Sequence, residues 1–235
     1  MRVAVISDIH GFSLALDTVV ADMDAIGDIH AVVVAGDHCE VGPDPLGVLD
    51  LLRSHPDWIV LKGNTDDDLV AAALDGATDY AASEIGPDGI DWLASLPFSY
   101  RVHEPGHPDD ARSLLVVHAN PHDLRGRLHP TASDDELRGV IGDAVFQTLA
   151  FGHVHISYRR QLDGHQLVDV SAAGNPKDGD LRCAYGIITW DEAADGWLAE
   201  IRRLEYPLED TLEQIKRSGL PNPDKVARVL QRASY

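Results

Sequence analysis

The chain has 235 residues, 44% of them hydrophobic, and its 39 acidic residues outnumber 19 basic ones to give a formal net charge of −20. This length suits one domain with a sizeable core, and the acidic surface disfavours binding to duplex nucleic acid or anionic membranes. The sequence has no apolar run of about 18 residues, which excludes a membrane-spanning helix. Two cysteines provide no disulfide framework, and we predict a cytoplasmic protein.

Apolar strands and amphipathic helices alternate through the first half of the chain. The pattern predicts strands at 3–7, 31–35 and 58–61, and helices at 13–26, 45–53 and 66–74. Continuous apolar strands separated by helices are typical of a parallel sheet that is buried on both faces.

The rest of the chain is less regular and then becomes rich in strands. We predict a short helix at 88–95, a polar hairpin or loop at 103–112, strands at 114–117 and 146–151, and a helix at 133–141 between them. Further strands are predicted at 157–161, 166–171, 184–190 and 197–205, followed by helices at 208–217 and from about 224. Turns at Asp163-Gly164 and Asp195-Gly196 indicate two antiparallel hairpins.

Polar residues follow five of the apolar strands at the point where each strand ends. They are Asp8-Ile9-His10, Gly36-Asp37, Gly63-Asn64, His118 and Gly152-His153-Val154-His155. Because ligands of parallel sheets lie beyond the carboxyl ends of the strands, we expect all five signals to converge. On an extended backbone, the alternation in Asp-x-His and His-x-His would turn both side chains of each pair to the same side.

These residue types suit a metal site. Carboxylate, imidazole and amide groups together favour Mn, Fe, Zn, Ni or Co, and seven ligands exceed what one such ion normally takes. We therefore predict two ions that share a carboxylate, roughly 3.5–4 Å apart. Taken one at a time, some of the seven predicted ligands also have a structural interpretation. His118 alone is compatible with a hydrogen-bonded core histidine, and Asn64 alone with a turn residue.

The order of these motifs from residue 8 to residue 155 resembles that of the calcineurin-like metallophosphoesterases, and the likeness extends through residues 36–45 and to the tail near Tyr206. It looks like the compact prokaryotic branch of small phosphodiesterases and phosphatases. The resemblance implies a four-layer αββα fold, with two mixed β-sheets packed face to face, in one domain over 1–235 with a small variable cap at about 76–113. It also implies that one metal is bound by Asp8, His10 and His155, that the other is bound by Asn64, His118 and His153, and that Asp37 bridges them.

The resemblance further implies a hydrolase in which a metal-bridging hydroxide attacks phosphorus. The cofactors would be two divalent transition-metal ions, with manganese as the first choice and Fe, Zn, Ni or Co as alternatives. The implied substrate is a small-molecule phosphate ester or a nucleotide, foremost a phosphodiester. Two alternatives remain open: a nucleotide or phosphoprotein phosphatase, including dinucleoside polyphosphate hydrolysis, and a protein-interaction scaffold with a degraded site. The possibility of homo-oligomers also stays open.

One position departs from the family pattern. The usual motif is Gly-Asn-His followed by Asp or Glu, but here Thr65 takes the place of the histidine. A threonine hydroxyl has too high a pKa to be a good general acid. We expect either a preference for good leaving groups or another acid, for which His122 and His38 are the candidates, although an exposed or structural histidine is the commoner case.

The predicted catalytic set is thus Asp37, Asn64, Thr65 and His122. Two further residues have both a functional and an ordinary interpretation. Lys177 would contact phosphate or belong to an ordinary turn. Asp66 would orient a neighbouring group or, as the preferred interpretation, cap the helix that begins there.

Overall fold

Two five-stranded mixed sheets form the centre of the computed structural model, which describes residues 1–76, 79–106 and 108–234. The strands are β1 (Arg2–Ile6), β2 (Ala31–Ala35), β3 (Ile59–Leu61), β4 (Ser99–Val102), β5 (Leu114–Val117), β6 (Thr148–Phe151), β7 (Tyr158–Leu162), β8 (His165–Asp169), β9 (Cys183–Asp191) and β10 (Gly196–Leu204). The helices are α1 (Ser13–Ile26), α2 (Pro45–Ser54), α3 (Asn64–Leu74), α4 (Tyr80–Ser95), α5 (Asp134–Ile141), α6 (Leu208–Arg217) and α7 (Pro223–Arg232).

The first sheet has the strand order β10-β9-β1-β2-β3. Its strands β1, β2 and β3 are parallel, whereas β9 is antiparallel to β1 and β10 is antiparallel to β9. The second sheet has the order β4-β5-β6-β8-β7, with β5, β6 and β8 parallel and an antiparallel strand at each edge. The turns at Asp163-Gly164 and Asp195-Gly196 join β7 to β8 and β9 to β10, which confirms both predicted hairpins.

The sheets pack face to face through a buried aliphatic layer. Val3, Val5 and Val33 of the first sheet share a core cluster with Val116 and Val168 of the second. The outer face of the first sheet packs against α1, α2, α6 and α7, and the outer face of the second packs against α5. This arrangement confirms the four-layer αββα fold with two mixed sheets and replaces the single parallel sheet that the alternation of strands and helices had indicated.

The segment predicted as a variable cap, residues 76–113, contains α4, β4 and a 3₁₀ turn at Asp110–Arg112, while Ala77, Thr78 and His107 lie outside the described residues. Helix α4 begins at Tyr80, eight residues earlier than predicted. It kinks at Gly86-Pro87, where Gly86 has a φ of 65°, and continues to Ser95. The strand β4 pairs with β5 at the edge of the second sheet. None of the described helices combines the length and apolar character that crossing a bilayer requires.

Candidate metal centre

The five polar signals do converge, but they come from two sheets rather than one. Three follow the parallel strands β1, β2 and β3, and two follow β5 and β6. Hydrogen bonds tie the loops together: the Asp8 amide donates to the Gly36 carbonyl at 3.1 Å, and the His153 amide donates to Asp8 Oδ2 at 2.8 Å, across the gap between the sheets. The carboxyl ends of both sheets therefore build one site.

The local backbone differs from the extended form that the Asp-x-His and His-x-His alternation had suggested. Five of the seven predicted ligands have left-handed φ angles: Asp8 (54°), His10 (53°), Asp37 (58°), His153 (69°) and His155 (57°). This conformation is unfavourable for most residues and is tolerated best by short polar side chains such as Asp and by His. The extended expectation is therefore wrong, and the strained turns are held by loop hydrogen bonds such as that from the His10 amide to the Asp37 carbonyl.

Two glycines of the motifs are required by close approach rather than by flexibility. A methyl group on Gly63 would overlap the Asp37 carboxylate, and one on Gly152 would overlap the Asp8 carboxylate. The glycine before each ligand thus leaves room for a carboxylate from another strand. This explains why Gly precedes Asn64 and His153 in the sequence.

Backbone carbonyls fix the orientation of all four histidines. Because a carbonyl oxygen only accepts, the ring nitrogen that faces it must carry the proton. These pairs are His10 Nδ1 with Glu40 O (3.1 Å), His118 Nδ1 with Ala35 O (2.9 Å), His155 Nδ1 with Asn175 O (2.5 Å) and His153 Nε2 with Arg125 O (3.1 Å). The second nitrogen of each neutral ring is thereby left as a lone-pair donor, which is the arrangement found around metal-binding histidines.

Electron-rich atoms then face each other in the middle of the cluster. His10 Nε2 lies 3.3 Å from His155 Nε2, and His118 Nε2 lies 2.9 Å from Asn64 Oδ1. Asp8 Oδ1 is buried and accepts no well-formed hydrogen bond from the described residues, although His155 Nε2 lies 3.1 Å away. Such a set is repulsive unless protons or cations lie between its members, so the residues fit bound metal ions.

The cluster divides into two halves. Asp8, His10 and His155 place one ligand atom each within 4.8 Å of one another, and so do Asp8, Asp37 and His118. The rings of His10 and His155 are 5.0 Å apart, as are the rings of His118 and His153. The first group contains the same residues as one ligand set that the resemblance implied, whereas the second shares only His118 with the other set.

Asp37 lies between the halves. Its Oδ2 is 3.6 Å from His10 Nε2 and its Oδ1 is 3.5 Å from His118 Nε2, so each oxygen faces a different half. This is the placement that a bridging carboxylate needs. Oδ1 also accepts a hydrogen bond from the Thr65 amide at 2.9 Å, which fixes the carboxylate plane.

The pKa of each buried carboxylate, Asp8 and Asp37, is lowered. Burial raises the pKa of Asp8, but His155, His118 and His10 together outweigh it and hold the pKa well below its usual range. The pKa of Asp37 is likewise lowered because His118 and His10 overcome the effect of burial. Burial lowers the pKa of His10, whereas the contact with Asp8 outweighs burial at His155 and raises the pKa of that ring.

The carboxylate of Asp66 does more than cap α3. It accepts hydrogen bonds from three backbone amides: Gly63 (2.8 Å), Asp37 (2.9 Å) and His38 (3.0 Å). Only the first is the capping contact that the sequence predicted, and the other two hold the loop that carries Asp37. Asp66 thus acts as a positioning residue that ties the end of β3 to the end of β2.

The two proposed substitute acids lie in hydrogen-bonded positions. His122 Nε2 donates to the Ile141 carbonyl at 2.8 Å, and His38 Nε2 donates to the Leu61 carbonyl at 2.8 Å. His38 is fully buried. These contacts use the Nε2 proton of each ring, which favours the structural interpretation for both residues.

Arg125 is a neighbour of the centre that the sequence did not single out. Its carbonyl orients His153, and its exposed guanidinium donates to Asp68 on α3 at 2.6 Å. The hydrogen bond to Asp68 raises the pKa of the Arg125 guanidinium, and Asp67 and Asp37 add smaller effects. Lys177, predicted as a phosphate contact or a turn residue, donates to the Asn175 side chain at 2.7 Å in the loop that accepts from His155.

Several solved structures share this fold. A metallophosphoesterase from Sphaerobacter thermophilus has a TM-score of 0.78 and 22% identity, covering 99% of this chain and 100% of that chain. A hypothetical protein from Pyrococcus horikoshii OT3 has a TM-score of 0.77 and 16% identity over 97% of each chain. A putative diadenosine tetraphosphatase has a TM-score of 0.54 and 17% identity, covering 85% of this chain and 93% of that one.

The family model of the calcineurin-like phosphoesterases matches residues 1–175, which include every strand end that builds the centre. None of the curated proteins matches the sequence. With the family match covering well over half of its length, the chain belongs to the calcineurin-like phosphoesterase family.

Proposed function

We propose that this protein is a two-metal phosphodiesterase for esters with good leaving groups. The observation that carries the proposal is the buried cluster of Asp8, Asp37, His10, His118 and His155, in which a backbone carbonyl fixes the tautomer of each histidine. Family membership supports the coarser function of a phosphoester hydrolase that uses divalent metals.

In this proposal Asp8, His10 and His155 would hold one ion, Asn64, His118 and His153 would hold the other, and Asp37 would be shared by both. When bound, the two cations supply the Lewis acidity that activates water and neutralises charge on the phosphoryl oxygens. The chain itself fixes the ligand geometry, because each ring is held by a backbone carbonyl and each carboxylate by a backbone amide.

Thr65 determines what happens to the leaving group. Its amide holds Asp37, and its hydroxyl is buried without a hydrogen-bond partner among the described residues. A hydroxyl in this position donates a hydrogen bond to a departing oxygen but does not transfer a proton to it efficiently. Leaving groups that depart as stable anions, such as aryl oxides, are therefore the preferred substrates.

Manganese as the native metal, a cytoplasmic location and a small-molecule or nucleotide substrate remain parts of this proposal. The chemistry of the ligands favours a transition metal over Mg or Ca. The alternatives are a phosphatase for monoesters or dinucleoside polyphosphates and a scaffold with little activity.

The proposal is tested with protein that has been stripped of metal and reloaded with Mn²⁺, Ni²⁺, Zn²⁺ or Mg²⁺. We expect hydrolysis of bis(4-nitrophenyl) phosphate to exceed that of 4-nitrophenyl phosphate and to be highest with a transition metal. Faster hydrolysis of the monoester would favour the phosphatase, and inactivity with every metal on both substrates would favour the scaffold.

Substitution of Thr65 tests the leaving-group argument. We expect Thr65→His to raise kcat for diesters with poor leaving groups, such as phenyl or alkyl esters, by about 10²-fold, since a positioned general acid contributes about 10²–10⁴. Rates for 4-nitrophenyl esters should change little because that anion departs without a proton. The matched control is Thr131→His at an exposed threonine. Unchanged rates for the poor leaving groups would refute the role given to Thr65.

A further inference from the structure

A cleft of about 460 Å³ lies beside the metal centre. Most of its wall is apolar and comes from segments that are far apart in the sequence: Phe12, Val41, Tyr80, Leu220, Val226 and Val229. The walls contributed by α7 and by the link before it lie outside residues 1–175, the part matched by the family model. The cleft is therefore a feature that the C-terminal part of this chain adds to the family core.

The cleft adjoins one half of the metal centre. Two of its lining residues, Glu40 and Asn175, provide the carbonyls that orient His10 and His155. Phe12 follows the His10 loop directly.

Thr65 lies at the opposite half of the centre. Its amide binds the oxygen of Asp37 that faces His118, whereas the cleft adjoins the half with His10 and His155. Since the leaving group departs on the Thr65 side in our proposal, a substituent that points toward the cleft is the one that stays on phosphorus.

The charges around the cleft restrict what it binds. Glu40 and Asp79 line it, with Lys225 as the cationic residue among the lining side chains. Asp79 and Lys225 offset each other, so the lining carries no excess of positive charge that would favour a further phosphate group. The apolar walls favour an uncharged aromatic or aliphatic group.

The backbone of Val41 is a second feature that indicates a ligand site at the cleft. It has a φ of 91°, a backbone conformation that is unusual for a β-branched residue, and its side chain remains 38% exposed at the cleft wall. Strained residues of this kind cluster at ligand sites. Tyr80 on the facing wall is fixed by the hydrogen bond from its hydroxyl to the Pro43 carbonyl at 2.9 Å.

We propose that this cleft binds the apolar, preferably aromatic, substituent that a phosphodiester substrate retains after cleavage. The inference rests on the proposed phosphodiesterase function and narrows its substrate class. Diesters with one good leaving group and one uncharged aromatic alcohol become the preferred substrates, and dinucleoside polyphosphates become poor ones.

The test compares two diesters with the same leaving group, phenyl 4-nitrophenyl phosphate and methyl 4-nitrophenyl phosphate. We expect the phenyl ester to have a KM roughly tenfold lower, as burial of an aromatic ring predicts. Val41→Asp and Val229→Asp should each raise the KM of the phenyl ester by about tenfold and that of the methyl ester less than about twofold. Val145→Asp, at a valine that is 50% exposed and does not line the cleft, is the matched control.

Calorimetric titration with diphenyl phosphate and dimethyl phosphate provides a readout without turnover. Tighter binding of diphenyl phosphate than of dimethyl phosphate supports the cleft proposal if it is lost in both cleft variants and kept in Val145→Asp. This support holds even if the protein hydrolyses no diester. The absence of hydrolysis would overturn only the phosphodiesterase proposal. Equal KM values and equal binding for the two members of each pair overturn the cleft proposal while leaving the hydrolase intact. A change of oligomeric state in the cleft variants without a change in KM also overturns it and identifies the cleft as an interface.

Discussion

Replacement of Asp37 by alanine is expected to lower kcat/KM for bis(4-nitrophenyl) phosphate by about 10³-fold or more. The carboxylate faces both halves of the centre, with its oxygens 3.6 Å from His10 Nε2 and 3.5 Å from His118 Nε2. In the proposed two-metal centre its loss would remove a ligand from both ions at once, and stabilisation by a metal ion amounts to several kcal/mol, which is about tenfold in rate for each 1.4 kcal/mol. Steady-state kinetics with Mn²⁺-loaded protein measure the effect.

The control for this prediction is Asp24→Ala, which removes an exposed carboxylate from α1. That variant should retain the kinetics of the parent protein. If Asp37→Ala kept more than about one tenth of the parent kcat/KM, the bridging role of Asp37 would be contradicted.

Replacement of Asp66 by alanine is expected to lower the free energy of unfolding more than any other substitution proposed for this protein. The side chain is 1% exposed and accepts from the amides of Gly63, Asp37 and His38. Without it, three buried backbone donors lose their acceptor, and each unsatisfied donor costs about 1–3 kcal/mol. We expect destabilisation by about 3–4 kcal/mol and a decrease in Tm of roughly 6–16 °C for a chain of this size.

Thermal unfolding of metal-free protein isolates this effect from metal binding. Metal affinity, measured separately by titration, should fall about 10–100-fold because the loop that carries Asp37 is no longer fixed. Asp67→Ala is the matched control at the next residue, whose side chain is 49% exposed, and it should change stability by less than about 1 kcal/mol. Equal Tm values for the two variants would show that Asp66 is only a helix cap.

The convergence of candidate metal ligands could be predicted from sequence because each of them follows the end of a buried strand. Polar side chains such as Asp8 and His118 after strongly apolar runs have few structural explanations, and their residue types point to metal binding. The two β-hairpins were also predictable, since Asp-Gly turns act locally.

The division of the strands into two sheets was not predictable from the alternation of elements. Strand order depends on pairing between distant segments, such as β1 with β9, and the local pattern does not encode it. The left-handed backbone at Asp8 and His10 was missed for the same reason, because contacts from other strands impose it. The strand β4 was missed because two of its four residues, Ser99 and Tyr100, are exposed and give no apolar signal.

Asp66 and the cleft show two further limits of the sequence. A carboxylate at the third position of a helix predicts a cap, and the same carboxylate also holds a loop 29 residues away, which no local pattern reveals. The cleft brings Phe12, Val41 and Tyr80 together with α7 across most of the length of the chain. Each of these residues alone is unremarkable in the sequence.

The metal content of the protein tests the central claim most directly. Metal-free protein is reloaded with excess Mn²⁺, freed of unbound ions by gel filtration and analysed by inductively coupled plasma mass spectrometry. The oxygens of Asp37 face both halves of the cluster. We therefore expect about two Mn²⁺ per chain in the parent protein and one or fewer in Asp37→Ala. A parent protein that binds one equivalent or less of every transition metal tested would contradict the two-metal centre.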